Sequence, residues 1–286
     1  MNKIYMTVSV DTRRADNLIE TMSPRIDEVI HMDVRCQQKA IHEIKRVLTA
    51  HDDRTIVVES NFLKRAQRRQ FYAMVQKYAE VHILFIYTPL SEVPEHRGDY
   101  IRMQVPRIGT DCDIMTVVSD TRVFDTPDVG TFMTASEIVA HTVPALHDEI
   151  VRIFTPHDTP YHLESVDEHI TQTIVQSDIQ TIHDVALYHD LGKGVAKTYL
   201  DDSHAVYSGH EYVSAVYALI DRHAGETLTQ NDLVVEAVHQ HMRALRGGRA
   251  LDSLTSTEMS VIKMFAEIDK KARRTHDITT DNRPAN

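Results

Sequence analysis

The sequence predicts an α/β domain built on a parallel sheet, followed by an all-α domain. Three observations point to this. Short apolar runs alternate with helix-period segments only in the first 120 residues. From about residue 131 the apolar residues recur at helical spacing throughout. All nine glycines lie at or after Gly98, and thirteen of the eighteen histidines at or after His141, so two differently built halves share one chain. The expected division is 1–120 for the α/β domain, 121–144 for a connecting segment with a helix, and 145–286 for the helical domain.

In the first half, "KIYMTVSV" (3–10), "RTIVVES" (54–60) and "VHILFIYTP" (81–89) read as short buried strands. Between them, 33–51 and 64–80 carry apolar residues at helical spacing, with Phe71, Met74, Val75 and Tyr78 forming one stripe. Strands alternating with helices imply a parallel sheet covered on both faces. Arg65, Arg68 and Arg69 read as a solvated helix face, with substrate docking as the second reading.

The order of segments over residues 2–118 resembles the P-loop kinases of the polynucleotide-kinase and zeta-toxin type. "TIVVESNFLKRAQRRQFYAMVQKYA" is similar to their strand, Asn-containing turn and Arg-rich helix, and "ILFIYTPLSEVPEHR" to the stretch leading to an arginine lid. "YIRMQVPRIGTDCDIMTVV" (100–118) resembles the segment that closes such domains. The phosphate loop is missing. A loop whose backbone N–H groups converge on phosphate needs glycines, and its terminal phosphates need a lysine. "VSVDTRRADNLIE" (8–20) has neither, and Arg13 and Arg14 cannot rebuild that geometry. The expectation is a kinase-like domain without a P-loop, used for packing, oligomerisation or substrate docking; this half is a natural surface for a homodimer, and the sequence leaves the oligomeric state open.

Composition narrows the function classes. Apolar residues at 42% and charged residues at 26% are ordinary globular values. No apolar run approaches the ~20 residues that span a bilayer, and the N-terminal stretch lacks the pattern of a secretory signal. Cys36 and Cys112 form no CxxC motif and suit a reducing cytosol, so a cytoplasmic location with no membrane partner is expected. A formal charge of −11 argues against a passive nucleic-acid coat.

The second half places ionisable groups on apolar stripes. Residues 135–154 read as a helix kinked by Pro144. In 163–175, His169 lies with Val166, Ile170 and Ile174; in 179–191, His189 lies with Ile182, Val185 and Ala186, and Gly192 supplies a stop. Residues 209–223 open at Gly209–His210 and continue with Val213, Val216, Tyr217 and Ile220. In 231–245, His241 repeats at intervals of four after Leu233 and Ala237. In 255–274, Thr255 and Glu258 have capping-box spacing, and Asp269 follows Ile262 and Phe265 inward. Burying several ionisable groups together is costly unless they neutralise one another or hold a cation. Imidazoles and carboxylates with open positions are what a hydrolytic transition-metal centre requires.

The order "H…HD…H…H…D", with "HDLGK" and a later "SGHE", resembles the HD-domain superfamily of metal-dependent phosphohydrolases over residues 145–275. It is particularly similar to HD modules found with tRNA nucleotidyltransferases and with phage or bacterial nucleic-acid repair proteins. The resemblance implies His169, His189, Asp190 and Asp269 as ligands, His210 and His241 as the extra histidines of two-metal members, and Asp190 as the bridging carboxylate. It also implies Lys193 as a contact to the substrate phosphate. One or two divalent ions are expected, with manganese, iron, cobalt, nickel or zinc favoured over magnesium by the histidines.

Several positions stay open. His162 ranks second to His169 as a ligand and otherwise reads as a substrate-binding or supporting group. His239 competes with His241, which helix phase favours. His183–Asp184 falls out of phase and reads as a surface or supporting pair. His204 lines the site mouth or caps a loop. Arg243, Arg246 and Arg249 read as phosphate-binding residues beside the pocket or as a solvated loop. The expected activity is a phosphatase on nucleotides or nucleic-acid ends, 3′-phosphates and 2′,3′-cyclic phosphates included. A 5′-mononucleotide phosphatase is the nearest alternative, and a non-catalytic nucleotide- or partner-binding module the alternative of another class.

Overall fold

Strand β1 (Lys3–Val8) is central because its residues Ile4, Met6 and Val8 are wholly buried, and it pairs in parallel on both sides. A computed structural model describes residues 1–22, 25–32, 37–50, 53–59, 62–125, 129–159, 162–245 and 254–273. After β1 come α1 (Thr12–Met22), β2 (Glu28–His31), α2 (Gln37–Ala50), β3 (Thr55–Glu59), α3 (Arg65–Val75), β4 (Glu80–Ile86), the short α4 (Arg97–Tyr100) and β5 (Ile114–Val118). Strands β2, β3, β1, β4 and β5 lie side by side in that order, all parallel. The strand β2 has no apolar run that marks it in the sequence; it is fixed by pairing with β3, Ile30 opposite Val58. Ala15 of α1 packs on Leu84 and Ile86, while Ile41, Ile44, Phe71 and Val75 of α2 and α3 belong to the main core.

The rest of the described chain is mainly helical: α5 (Ala135–Ala140), α6 (Pro144–Ile150), α7 (Val166–Val175), α8 (Gln180–Tyr188), α9 (Lys193–Ala196), a hairpin of β6 (Thr198–Tyr199) and β7 (Ala205–Val206), α10 (His210–His223), β8 (Thr227–Leu228), α11 (Leu233–Leu245) and α12 (Ser256–Ala272). Instead of a kinked helix over 135–154 there are two helices. Pro144 takes the first position of α6, where its missing N–H costs nothing. Thr134 and Glu137 cap α5, and Thr255 and Glu258 cap α12 at the expected spacing.

The halves share one core, which runs without a break from Ile4 and Phe71 to Val216 and Phe265. They also share the sheet, because β8 adds to β5 in the antiparallel sense. Buried ion pairs close the seam. Arg65 Nη1 and Nη2 donate to Glu236 Oε1 and Oε2 at 2.9 and 2.8 Å. Arg107 makes the same fork on Glu258, both bonds at 2.9 Å, and lies 3.2 Å from Glu236 Oε1.

This corrects the solvated reading of the α3 arginines. Arg65 and Arg68 are buried, Arg68 donating to Asp111 Oδ2 and to the main-chain oxygens of Phe62 and Gln104; only Arg69 is exposed. A guanidinium whose donors all meet a carboxylate or carbonyls can leave water. At the β1–α1 turn, Asp11 Oδ1 accepts from Arg13 N at 3.0 Å. A carboxylate thus fills the helix N-terminus where a phosphate would bind. Arg14 donates to Tyr87 O and Glu92, and Arg13 is exposed beside Asp11.

Candidate metal centre and pocket

Five elements deliver the ionisable groups to one point. The inner stripe of α7 carries His169 beside Val166, Ile170 and Ile174. The chain leaving α8 continues its hydrogen bonding through His189 N to Val185 O and then turns at Gly192, presenting His189 and Asp190. Gly209, at φ +87°, starts α10 so that His210 is its first residue, and a Cβ there would fall 2.4 Å from Ile101 O. His241 comes from α11 and Asp269 from α12, both buried.

Asp190 is the hub. Its Oδ2 lies 3.1 Å from His189 Nε2, 3.7 Å from His169 Nε2 and 2.7 Å from Lys193 Nζ. Its Oδ1 lies 3.3 Å from His210 Nε2 and 4.0 Å from His241 Nε2. Asp269 Oδ1 reaches His169 Nε2 at 2.9 Å, and Arg273 Nη2 donates to Asp269 Oδ2 at 2.9 Å. Burial would raise the Asp190 pKa, yet His189 and Lys193 beside it hold the carboxyl well below the usual range. Asp269 is likewise lowered against its burial, by His169 and His189. Burial, with His210 and His189 beside it, pushes the His241 imidazole down to about 3, so the ring is neutral.

The imidazoles are oriented by the main chain. Nδ1 of His189, His210 and His241 lies 2.8, 2.7 and 2.6 Å from the carbonyl oxygens of Ala186, Tyr207 and Val238. A carbonyl cannot donate, so each Nδ1 carries a proton and Nε2 is the ring atom left to bind a metal. Those three Nε2 atoms are buried, have no hydrogen-bond partner among the described residues and face the oxygens of Asp190. Ring nitrogens and carboxylate oxygens converging at these distances can share a cation. The donor atoms fall into two groups sharing Asp190: His169, His189 and Asp190, and Asp190, His210 and His241. Both could hold a metal ion, and nitrogen-rich ligation fits the borderline divalent transition metals.

Beside this cluster is a cavity of about 330 Å³. Its wall includes His157, His162, Lys193, Tyr207, Met242 and Arg273, together with His169, Asp190, His210, His241 and Asp269. His162 donates from Nδ1 to the buried Glu164 Oε1 at 2.6 Å, which also lies 3.5 Å from His169 Nδ1. It therefore stands one step behind His169 and faces the cavity. Burial, with Lys193 nearby, lowers its pKa to about 4.

Other sequence candidates lie elsewhere. His239 is buried away from the cluster against Tyr212, with ring centroids 5.1 Å apart, so helix phase separates it from His241. His183 is buried rather than at the surface, and Asp184 pairs with Arg222. His204 is exposed and sits in a turn with Asp201. Arg243 is half-buried and not among the cavity-lining residues, while Arg246 and Arg249 lie outside the described residues.

Three groups escaped the sequence reading: His157, Glu164 and Arg273. His157 and Glu164 come from the irregular stretch before α7, where no periodicity assigns a direction. The only signal there was another His-Asp dipeptide, His157–Asp158. Arg273 sits one turn beyond Asp269, a spacing that would have marked it.

Fold and site together define a chain with a parallel-dominated α/β sheet and a helical portion that encloses histidine–aspartate clusters able to hold metal. Comparison with protein-family models, with curated proteins and with solved structures returns no match. Among the described residues, no helix is long and apolar enough to cross a membrane.

Proposed function

We propose that the chain is an HD-type metal-dependent phosphohydrolase acting on phosphate esters of nucleotides or of nucleic-acid ends, 3′-phosphates and 2′,3′-cyclic phosphates included. The observation that carries this reading is the set of histidine Nε2 atoms turned onto both oxygens of one buried aspartate beside an open cavity. One or two divalent ions would be held by His169, His189, Asp190 and Asp269, and by Asp190, His210 and His241. A divalent ion bound there supplies activation of water near neutral pH and charge neutralisation on a phosphoryl group.

The remaining work falls to the chain's own residues. Lys193 lies at the cavity wall 2.7 Å from Asp190, where its ammonium would meet a phosphoryl oxygen as negative charge builds there. Water adds to phosphorus, one P–O ester bond breaks and a proton from the water passes to the leaving oxygen; a monoester gives the free alcohol and phosphate, and a 2′,3′-cyclic phosphate opens to a phosphomonoester. No side-chain nucleophile is required.

The cavity volume is at the small end of ligand sites, which run from about 300 to 1,000 Å³. Among its described lining residues only Lys193 and Arg273 are cationic, and Arg273 is paired with Asp269. One terminal phosphate suits such a wall better than a strand tracked along many phosphates. The same observation favours 5′-mononucleotides as the second reading.

The test is turnover of 5′-mononucleotides and of oligonucleotides ending in 3′-phosphate or 2′,3′-cyclic phosphate, with manganese, for the natural protein and Asp190→Ala. Turnover lost in the variant is expected, and the preferred group separates the two substrate readings. No turnover of any of them, with metal retained, overturns the enzymatic reading and leaves a binding module.

A further inference from the structure

We propose that His157 is a positioning residue that aims the Lys193 ammonium into the cavity, a role that rests on the phosphohydrolase reading for its purpose but not for its geometry. His157 Nδ1 lies 2.8 Å from the main-chain oxygen of Glu164, and its Nε2 lies 2.9 Å from Lys193 Nζ. A carbonyl oxygen has no proton to give and an ammonium has no lone pair. The two partners therefore fix the ring: Nδ1–H donates to Glu164 O, and Nε2 accepts from Lys193. The ring is held on other sides as well. Tyr207 Oη donates to the His157 main-chain oxygen at 2.6 Å, and the His162 ring stacks on it with centroids 4.0 Å apart and planes 15° apart.

An ammonium has three N–H donors. In Lys193 one is engaged by His157, while the ammonium pairs electrostatically with Asp190 Oδ2 at 2.7 Å and lies 5.5 Å from the Tyr207 ring centroid. The remaining donor capacity can serve the cavity that Lys193 lines. Two anchors in different directions fix where the ammonium sits; Asp190 alone would let it swing about a single contact. The second anchor is neutral, and that matters. A carboxylate in place of His157 would hold the lysine equally well but would cancel the charge that attracts a phosphoryl oxygen. An imidazole holds position without neutralising.

The experiment compares His157→Phe, which keeps a ring to stack on His162 but has no acceptor, with His157→Gln, which keeps an acceptor at the end of a flexible chain. Lys193→Met and the double variant His157→Phe/Lys193→Met complete a cycle. Inorganic phosphate binding to the manganese-loaded proteins is measured by calorimetry, and kcat and KM with whichever phosphate ester the natural protein turns over. His157→Phe is expected to weaken phosphate binding and kcat/KM by about tenfold or more, on the scale of misplaced catalytic groups. His157→Gln should recover part of both, and the double variant should be no worse than Lys193→Met alone. Where His157→Phe does not accumulate as folded protein, His157→Leu removes the acceptor with a smaller side chain and enters the same cycle.

Effects that multiply in the double variant, or phosphate binding unchanged in His157→Phe, overturn the proposal. Equal loss in His157→Phe and His157→Gln with normal metal content also overturns it. If the natural protein turns over no ester, the phosphohydrolase reading fails, while the phosphate-binding cycle still decides the role of His157.

Discussion

Gly192 packs against His210 so closely that a Cβ built on it would lie 2.4 Å from the His210 carbonyl oxygen and 2.8 Å from Ser214 N. Both neighbours are backbone and cannot yield as a side-chain tip would. The close approach lets the turn after α8 rest on the first turn of α10, sealed by Gly192 N donating to Ser214 Oγ at 2.9 Å. It thereby sets Asp190 Oδ1 3.3 Å from His210 Nε2. Gly192→Ala is expected to cost about 1–3 kcal/mol, the usual range for overpacking. It should also weaken metal binding at Asp190, His210 and His241 more than at His169, His189 and Asp190. Urea denaturation and a manganese titration read the two effects separately.

Asp190 is common to both groups of donors, whereas His241 belongs to one. Asp190→Asn should therefore abolish stoichiometric binding of manganese or zinc in equilibrium dialysis, and His241→Ala should leave one ion bound. Metal added to the natural protein should raise its melting temperature, since a ligand at 100 times its Kd adds about 2.7 kcal/mol to the folded state. A chelator should reverse the rise. An Asp190→Asn protein whose melting temperature still rises with metal would mean that the ion binds elsewhere.

Much of this cluster was legible because helices convert sequence spacing into direction. His169, His189, His241 and Asp269 each fall in phase with buried apolar neighbours, so their inward orientation follows from the 3.6-residue period. The same logic separated His241 from His239. It failed at His157 and Glu164, which sit in irregular chain where no period applies. It failed again for Arg65 and Arg68, because a charged helix face looks solvated until its partners are known. The partner of Arg65 is Glu236, 171 residues away. Strand β8 escaped for a related reason: two residues carry no pattern, and only pairing with β5 makes them a strand.

The Arg65–Glu236 pair gives a stability test of the seam between the two halves. Glu236 also accepts from Gln240 Nε2 at 2.8 Å, and Arg65 donates from Nε to Val105 O at 2.7 Å. Burial opposes ionisation of Glu236, but Arg65 holds its carboxyl far below the usual range. Glu236→Ala leaves a buried guanidinium without its carboxylate and is expected to cost about 3–5 kcal/mol. Replacing both, as Arg65→Met with Glu236→Leu, should cost much less, because apolar side chains of similar size need no counter-charge. Denaturation midpoints of the three proteins check this, and a double variant as unstable as Glu236→Ala would refute it.

His223 offers a pH test at a distance from the metal centre. At the end of α10 its Nε2 lies 2.8 Å from Asp232 Oδ2 and its Nδ1 2.8 Å from Glu226 Oε2, while Arg222 Nε donates to the same Asp232 oxygen at 2.9 Å. The hydrogen bond to Asp232 raises the His223 pKa above its ordinary 6.5, overcoming the burial that would lower it. A raised folded-state pKa means the folded protein holds this proton more tightly than the unfolded chain. The stabilisation is therefore complete below about pH 6.5 and is lost as pH rises through the folded-state value. His223→Gln should accordingly melt below the natural protein by the largest margin near pH 5.5, and the margin should shrink as the buffer is taken toward pH 9. Metal-free protein serves for both, so titration of the ligand histidines is common to the pair and drops out of the difference. A margin that stays constant across that range would show that His223 does not bind its proton more tightly in the folded protein.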